Sequence, residues 1–396
     1  MTVRRTGLIA AVALVALAVG CGGASTPATS SAAPVPTTTT EPGTPAPSSP
    51  SSSGPAVTPV AACDTDYLAR FSPRQKLAQL LTVGVTGTAD AVNVVTSEQV
   101  GGIFFGSWTD SSLLTGGGVA QAQAAAIAPL MVTIDEEGGR VSRAGGLIGS
   151  APSARDVAAT MTVDQAYQQA LDRGRQLRAL GVTVNFAPDV DVSSQPADSV
   201  IGDRSYSSDP NRVTEYAGAV IRGYQDAGLG AVMKHFPGHG SGSGDSHTGA
   251  VTTPPLAQLQ TSDLVPFRNL IGSGAAVMVG HLDVPGLTAP GVPASVSPEA
   301  MTLLRTGVMY GAAPYNGPIF TDDLGGMAAI TDRYSIPGAV EASLVAGADV
   351  ALWITTDQVP AVLDQLEQAV AAGRLSQLQV DQSMLRVARY KGALTC

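Results

Sequence analysis

Eight short apolar runs, separated by longer helix-compatible stretches, constrain this chain more than any other feature of it. They are Leu80–Val85, Gly102–Phe105, Leu130–Ile134, Val182–Phe186, Ala231–Met233, Ala275–Val279, Pro318–Phe320 and Val350–Ile354. Between them lie helical candidates such as Val163–Leu180, Asn211–Ala227, Ser297–Val308 and Val359–Ala372. Strands that alternate with helices imply a parallel sheet. Eight such units imply a closed (β/α)8 TIM barrel in place of an open doubly wound sheet, and a barrel of this kind needs about 250 residues. No Gly-x-Gly-x-x-Gly follows the first run, which argues against a dinucleotide site.

Several runs end in charged residues and glycine. Ile134 leads to Asp135-Glu136-Glu137-Gly138-Gly139-Arg140, Phe186 to Ala187-Pro188-Asp189-Val190-Asp191, Met233 to Lys234-His235, Val279 to Gly280-His281, and Phe320 to Thr321-Asp322-Asp323. Barrel enzymes carry their chemistry at the C-terminal ends of the strands. An apolar run followed by charge is what that face looks like in a sequence.

The chain ahead of the barrel has a different character. Arg4 and Arg5 precede the apolar stretch Leu8–Val19, which is too short to span a bilayer, and residues 1–20 read as a signal peptide. Ala18-Val19-Gly20-Cys21 resembles a lipobox without its usual Leu, so Cys21 is expected to carry the lipid that anchors the protein to the outer face of the cell membrane. Residues 21–62 are dominated by Ser, Thr, Pro, Ala and Gly with the single charge Glu41, a composition that buries no core and serves as a tether. The catalytic domain is expected over 63–396. Cys63 and Cys396 bracket it, and they form either a disulfide joining the barrel's termini or two free thiols. The net charge of −10 and the lack of a basic patch exclude nucleic acid as a partner.

All four histidines fall near the ends of the fifth and sixth runs, three of them in His235-Phe-Pro-Gly-His239-Gly-Ser-Gly-Ser-Gly-Asp245-Ser-His247. His235, His239 and His247 could bind a metal, but Pro237-Gly238 forbids the helix that an i, i+4 pair of zinc ligands needs, and neither a metal nor a cofactor is expected. The other reading is an Asp245–His247 pair. A carboxylate bonded to an imidazole fixes its tautomer and suits it to proton transfer near neutral pH.

Taken together, Lys234-His-Phe-Pro-Gly-His-Gly240 and Asp245-Ser-His247 resemble the signature of glycoside hydrolase family 3, in its β-N-acetylglucosaminidase branch. Asp135-Glu-Glu-Gly-Gly-Arg-Val-Ser-Arg143, Gly202-Asp-Arg-Ser-Tyr206 and Ile319-Phe-Thr-Asp-Asp-Leu324 are similar to further family segments in the expected order, and the likeness covers roughly residues 64 to 390. The resemblance implies Asp322 as nucleophile, with Asp323 the alternative, and His247 as acid/base held by Asp245. It implies that Asp135, Arg143, Arg204, Lys234 and His235 grip the sugar. Two displacements would give retention. Glu136 stands where the family often has Gln, a departure read as neutral, and Ser241-Gly-Ser-Gly244 suggests a flap over the substrate. Relatives acting on glucosides and xylosides usually add a second α/β domain, for which this chain leaves no room.

The expected activity is removal of terminal, non-reducing β-linked N-acetylglucosamine, from peptidoglycan fragments bearing GlcNAc–MurNAc, by a monomer. Rivals are a family 3 enzyme of other sugar preference, a phosphorylase, and a sugar-binding lipoprotein with no catalysis. His281 and Asp283 either line the site or satisfy each other; Trp108 and Trp353 either stack on sugar or pack in the interior.

Overall fold

Each of the eight apolar runs becomes a strand: Leu81–Gly84 (β1), Gly102–Phe105 (β2), Met131–Ile134 (β3), Val184–Asn185 (β4), Gly230–Phe236 (β5), Ala276–Val279 (β6), Ile319–Asp323 (β7) and Val350–Trp353 (β8). The computed structural model describes residues 62–396, which belong to one compact unit. The signal peptide, Cys21 and almost all of the tether lie outside the described residues. The strands are all parallel, neighbours in sequence are neighbours in space, and β8 closes on β1 with Ala351 beside Leu81. This is the (β/α)8 barrel that the alternation implied.

The strands are short because each crosses one barrel wall, and they are apolar because both faces are covered. Their inward side chains form an inner core that includes Phe104, Met131, Phe186, Met278, Phe320 and Leu352. Phe186 is central to it, stacked on Phe104 at 5.8 Å and edge-on to Phe320 at 5.6 Å. Outward side chains meet the helices. Thr162 and Gln165 form a capping box that starts the helix Val163–Ala179, and Asp209 with Pro210 starts Pro210–Asp226. These two helices approach closely at Gly223, where an added Cβ would lie 2.6 Å from the Tyr167 carbonyl oxygen.

The C-terminal helix Gln377–Tyr390 closes the end of the barrel opposite the site. Tyr390 enters the inner core, and its hydroxyl donates to the Ala231 carbonyl at 2.8 Å. Cys63 and Cys396 are joined in a disulfide with Cα atoms 6.5 Å apart, and Asp64 beside it pairs with Arg389. Asp349, fully buried at the start of β8, binds the Ile319 N–H, Ser383, Arg305 and Arg386.

Two strands run further than their apolar residues. β5 continues through Lys234, His235 and Phe236, and β7 continues through Asp322 and Asp323. Polar residues stay in strand geometry there because their side chains find partners at the barrel rim. Both strands also slip register at these ends, β5 against β6 between Met233 and Phe236, and β7 against β8 between Phe320 and Asp323. Such irregularities re-aim side chains beside functional sites.

Asp349 supplies the fold's sharpest stability test. Asp349→Ala leaves two guanidinium groups without their counter-charge and is expected to cost roughly 3 kcal/mol. The measurement is the urea denaturation midpoint; an unchanged midpoint would show that the cluster does not hold the C-terminal helix to the barrel.

Candidate active site

Seven of the residues singled out in the sequence line one cavity at the C-terminal ends of the strands: Asp135, Arg143, Arg204, Lys234, His235, His247 and Asp322. Asp245 stands behind His247. The cavity also includes Glu137, Ser246 and Met327, to which the sequence assigned no role, and His239, which it offered only as a metal ligand.

The wall from β3, β4 and β5 is a buried charge network. Lys234 Nζ lies 2.6 Å from Asp135 Oδ1 and 2.6 Å from Glu137 Oε1. Arg204 grips Glu137 with both Nε and Nη2, at 2.8 and 2.9 Å. Burial would neutralise the Glu137 carboxyl, but Arg204 and Lys234 overcome it and hold it far below the usual carboxylate range. Burial likewise opposes the Lys234 ammonium, and Asp135 and Glu137 keep it charged. Arg143 has no hydrogen bond or ion pair among the described residues, so its guanidinium is free for a ligand. His235 Nδ1 is fixed by Asp191 at 2.7 Å, and Asp191 also accepts the His239 N–H at 2.6 Å. Asp189 behaves differently. Burial and the Asp191 charge push its carboxyl well up, and its Oδ2 is buried with no hydrogen-bond partner.

Adjacent glutamates part ways after β3. Glu137 faces the cavity, while Glu136 is buried behind it. Glu136 pairs with Arg173 and accepts from Ser142 and the Ala144 N–H, both at 2.7 Å. Reading Glu136 as a neutral replacement overlooked this: its charge is matched by a buried arginine 37 residues away. Glu137, Asp189 and Asp191 all belong to the run-then-charge segments, so the sequence signalled their location but not which of them meets the ligand.

At the end of β7, two neighbouring carboxyl groups are driven apart. Burial opposes ionisation of Asp322, but His235, His281, Lys234 and the Asp323 N–H at 3.0 Å hold its carboxyl below the ordinary value. Asp323 receives no such help. Burial and the Asp322 charge push it up to about 7, although it accepts the Gly325 N–H at 2.7 Å. Paired titratable groups with opposed shifts mark chemical sites.

His247 is well exposed, on the loop after β5. Its Nδ1 lies 2.7 Å from Asp245 Oδ1, which also accepts the His247 N–H at 2.9 Å. Partial burial opposes ionisation of Asp245, but these bonds keep its carboxyl below the usual value. With Nδ1 occupied, Nε2 is the nitrogen left for a reacting group.

Other expectations are corrected. His281 and Asp283 neither satisfy each other nor line the cavity. His281 bonds Ser295 at 2.7 Å and the Asp323 carbonyl at 2.8 Å, supporting the β7 end from below, and Asp283 forms a bidentate pair with Arg333. Trp353 is fully buried, whereas Trp108 is 44% exposed. The three histidines of the loop do not converge on a metal. Asp189, Asp191 and His235 do present ligand atoms within 4.8 Å of one another, but Arg204 Nη2 lies 3.6 Å from Asp189 and sets a fixed positive charge against a cation.

A (β/α)8 barrel whose strand ends gather an ionised buried aspartate, an exposed carboxylate-bonded imidazole and a wall of paired charges is built as a glycoside hydrolase. Comparison with known proteins agrees. Residues 73–390 match the glycosyl hydrolase family 3 N-terminal domain. Beta-hexosaminidase LpqI of Mycobacterium tuberculosis is 58% identical over 326 residues, 82% of this chain and 84% of the relative. A family 3 glycosyl hydrolase of Mycobacterium smegmatis superposes with a TM-score of 0.81 at 59% identity, covering 83% of this chain and 99% of the other. A family 3 β-N-acetylglucosaminidase of Paenibacillus gives 0.75 at 32% identity, over 82% of this chain and 64% of the other. The chain belongs to glycosyl hydrolase family 3.

The Asp323 shift makes a signed prediction. The folded protein holds this proton up to about pH 7, whereas the unfolded chain releases it near the ordinary aspartate value of 3.8. Ionising Asp323 therefore costs stability as pH rises between these values, and the full cost is present above 7. Asp323→Asn keeps an acceptor for Gly325. It is expected to raise the melting temperature at pH 8, with the gain shrinking toward pH 4. A gain independent of pH would refute the shift.

Proposed function

We propose that this protein is a retaining exo-β-N-acetylhexosaminidase that releases terminal β-linked N-acetylglucosamine. The observation that carries the reading is the joint presence in one cavity of an ionised, buried Asp322 and an exposed His247 bonded to Asp245. Relatives named beta-hexosaminidase, 58% and 35% identical to this chain, support the sugar preference.

In the first step the Asp322 carboxylate attacks the anomeric carbon. The bond to the leaving oxygen breaks, and His247 Nε2 delivers a proton to that oxygen. In the second step His247 takes a proton from water as the water displaces Asp322, which restores the enzyme and gives net retention. Asp245 fixes the imidazole tautomer and supports the imidazolium between turns. An imidazole in place of a second carboxylic acid carries no negative charge in either protonation state and leaves Asp322 the only anionic reacting group. Lys234, Asp135, Arg204, His235 and Arg143 bind the sugar's hydroxyl and acetamido groups. Glu137 belongs with them as the residue that helps keep Lys234 charged and fixes both cations.

The cell-wall role goes further than the site. A lipid on Cys21 and a Pro-rich tether would place the enzyme outside the membrane, beside peptidoglycan fragments that bear GlcNAc–MurNAc. Support for this part comes from the N-terminal sequence alone.

The test is turnover of aryl β-N-acetylglucosaminide and the matching β-glucoside by the full chain. The glucosaminide should be preferred. Asp322→Asn should abolish turnover, and His247→Ala should slow it by about 10²–10⁴-fold on substrates that need protonation. A 5-fluoro glycosyl fluoride should label the peptide containing Asp322; labelling elsewhere would reassign the nucleophile. Equal turnover of both sugars would remove the specificity claim. A product that becomes the glycosyl phosphate when phosphate is added would make the enzyme a phosphorylase.

A further inference from the structure

Ser246 stands between the two members of the Asp245–His247 pair and faces the opposite way. Asp245 and His247 have side chains 36% and 60% exposed, while Ser246 is only 4% exposed. Its contacts are with the segment that follows β7. The Ser246 carbonyl accepts the Ala329 N–H at 3.0 Å, and its hydroxyl donates to Met327 Sδ at 3.5 Å. Met327 is itself buried and lines the cavity with His247 and Asp322. Among the described residues, no other hydrogen bond joins segment 244–250 to the rest of the barrel; the bonds inside it are those of the Asp245 turn.

The partner of Ser246 is rigidly tied to Asp322. Asp323 Oδ1 accepts the Gly325 N–H, and at Gly326 an added Cβ would lie 2.5 Å from Asp323 Oδ2 and 2.8 Å from Ile354 Cδ1. The chain from Asp322 to Ala329 is therefore a tight turn packed on the barrel rim. The base of the histidine loop is closed on itself, with the Ser243 N–H donating to the Thr252 carbonyl at 2.9 Å and the Thr252 N–H to Ser243 Oγ at 3.0 Å. Beyond that base, segment 244–250 is held to the rest of the barrel at one place, through Ser246.

We propose that Met327, Ala329 and Ser246 form a latch through which the end of β7 positions His247 against Asp322. They are positioning residues that touch no substrate bond. The inference rests on the retaining reading above. A single hydrogen bond and a thioether contact are weak enough to release, so the same latch lets the loop open between turns while fixing one closed geometry. Because both reacting groups are referenced to one turn, closing the loop sets their spacing.

The test separates positioning of the acid/base from general damage. A 2,4-dinitrophenyl glycoside leaves without protonation, whereas a GlcNAc disaccharide needs it. Met327→Ala should lower kcat/KM for the disaccharide by about tenfold or more, with a several-fold smaller loss of kcat/KM for the dinitrophenyl substrate. Its kcat on the dinitrophenyl substrate should fall, since water still needs a base, and azide should restore it by displacing Asp322 to give the glycosyl azide. Met327→Leu, which keeps the volume, should recover most of the loss.

Ala329→Pro removes only the N–H that binds Ser246, in a first helical turn that tolerates proline. It should show the same signature without a cavity, and it serves if Met327→Ala fails to fold. In both variants, amides of 244–250 should exchange with solvent faster than in wild type. Equal loss on both substrates, no loss on the disaccharide, or unchanged exchange would overturn the latch. A wild-type enzyme inactive on every β-hexosaminide would refute the functional reading alone, since the exchange measurement still decides the latch.

Discussion

Glu137 lies buried between Arg204 and Lys234, and the rest of the site depends on that arrangement. Two cations held in a buried site would repel each other; Lys234 would favour losing its charge and Arg204 would favour turning to solvent. One carboxylate bonded to both at 2.6–2.9 Å removes the repulsion and fixes each head group. Buried ion pairs contribute little to stability because desolvation offsets their attraction. What this one contributes is placement: Lys234 is left with Asp135 as its second partner, and Arg204 comes within 3.4 Å of His235. The polar rim can therefore continue as strand, and β5 carries its charged residues to the floor of the cavity.

The same field sorts the two aspartates of β7. Their sequence environments are almost identical; Asp322 is buried and Asp323 is partly so. Asp322 faces Lys234, His235 and His281, and stays ionised. Asp323, one residue on, turns toward backbone N–H groups and holds its proton to about pH 7. A strand alternates its side chains between two faces, so one step along it changes the electrostatic surroundings completely. This gives a physical reason to favour Asp322 over Asp323 as nucleophile, where the motif offered only a position. The site is also divided in stiffness. Asp322 and the charge wall belong to strand ends over a packed aromatic core, while His247 rides on a glycine-rich loop. The proposed retaining mechanism would need the acid/base to serve two steps and then release product, which suits one fixed partner and one movable one.

The sequence by itself determined the architecture. Eight apolar runs too short for anything but single strands, with amphipathic stretches between them, leave a closed parallel barrel as the way to bury both faces of every strand. It also determined where chemistry sits, because charge following an apolar run marks the C-terminal rim. The histidine loop with its Asp-x-His spacing was legible too: that pairing is local, made by residues two apart, and needs no distant partner.

Tertiary structure decided everything that depends on residues far apart in the chain. Glu136 and Glu137 cannot be told apart in the sequence, yet one meets Arg173 and the other Arg204 and Lys234. His281 and Asp283 look like a pair and each binds elsewhere. The junction between Ser246 and the Met327–Ala329 turn spans about 80 residues and leaves no local signature. Periodicity reports which face of an element is buried, and it is silent on which buried group lies opposite. Charge pairing, carboxyl ionisation and loop docking are all fixed by that opposition, so they become readable only once the barrel has closed.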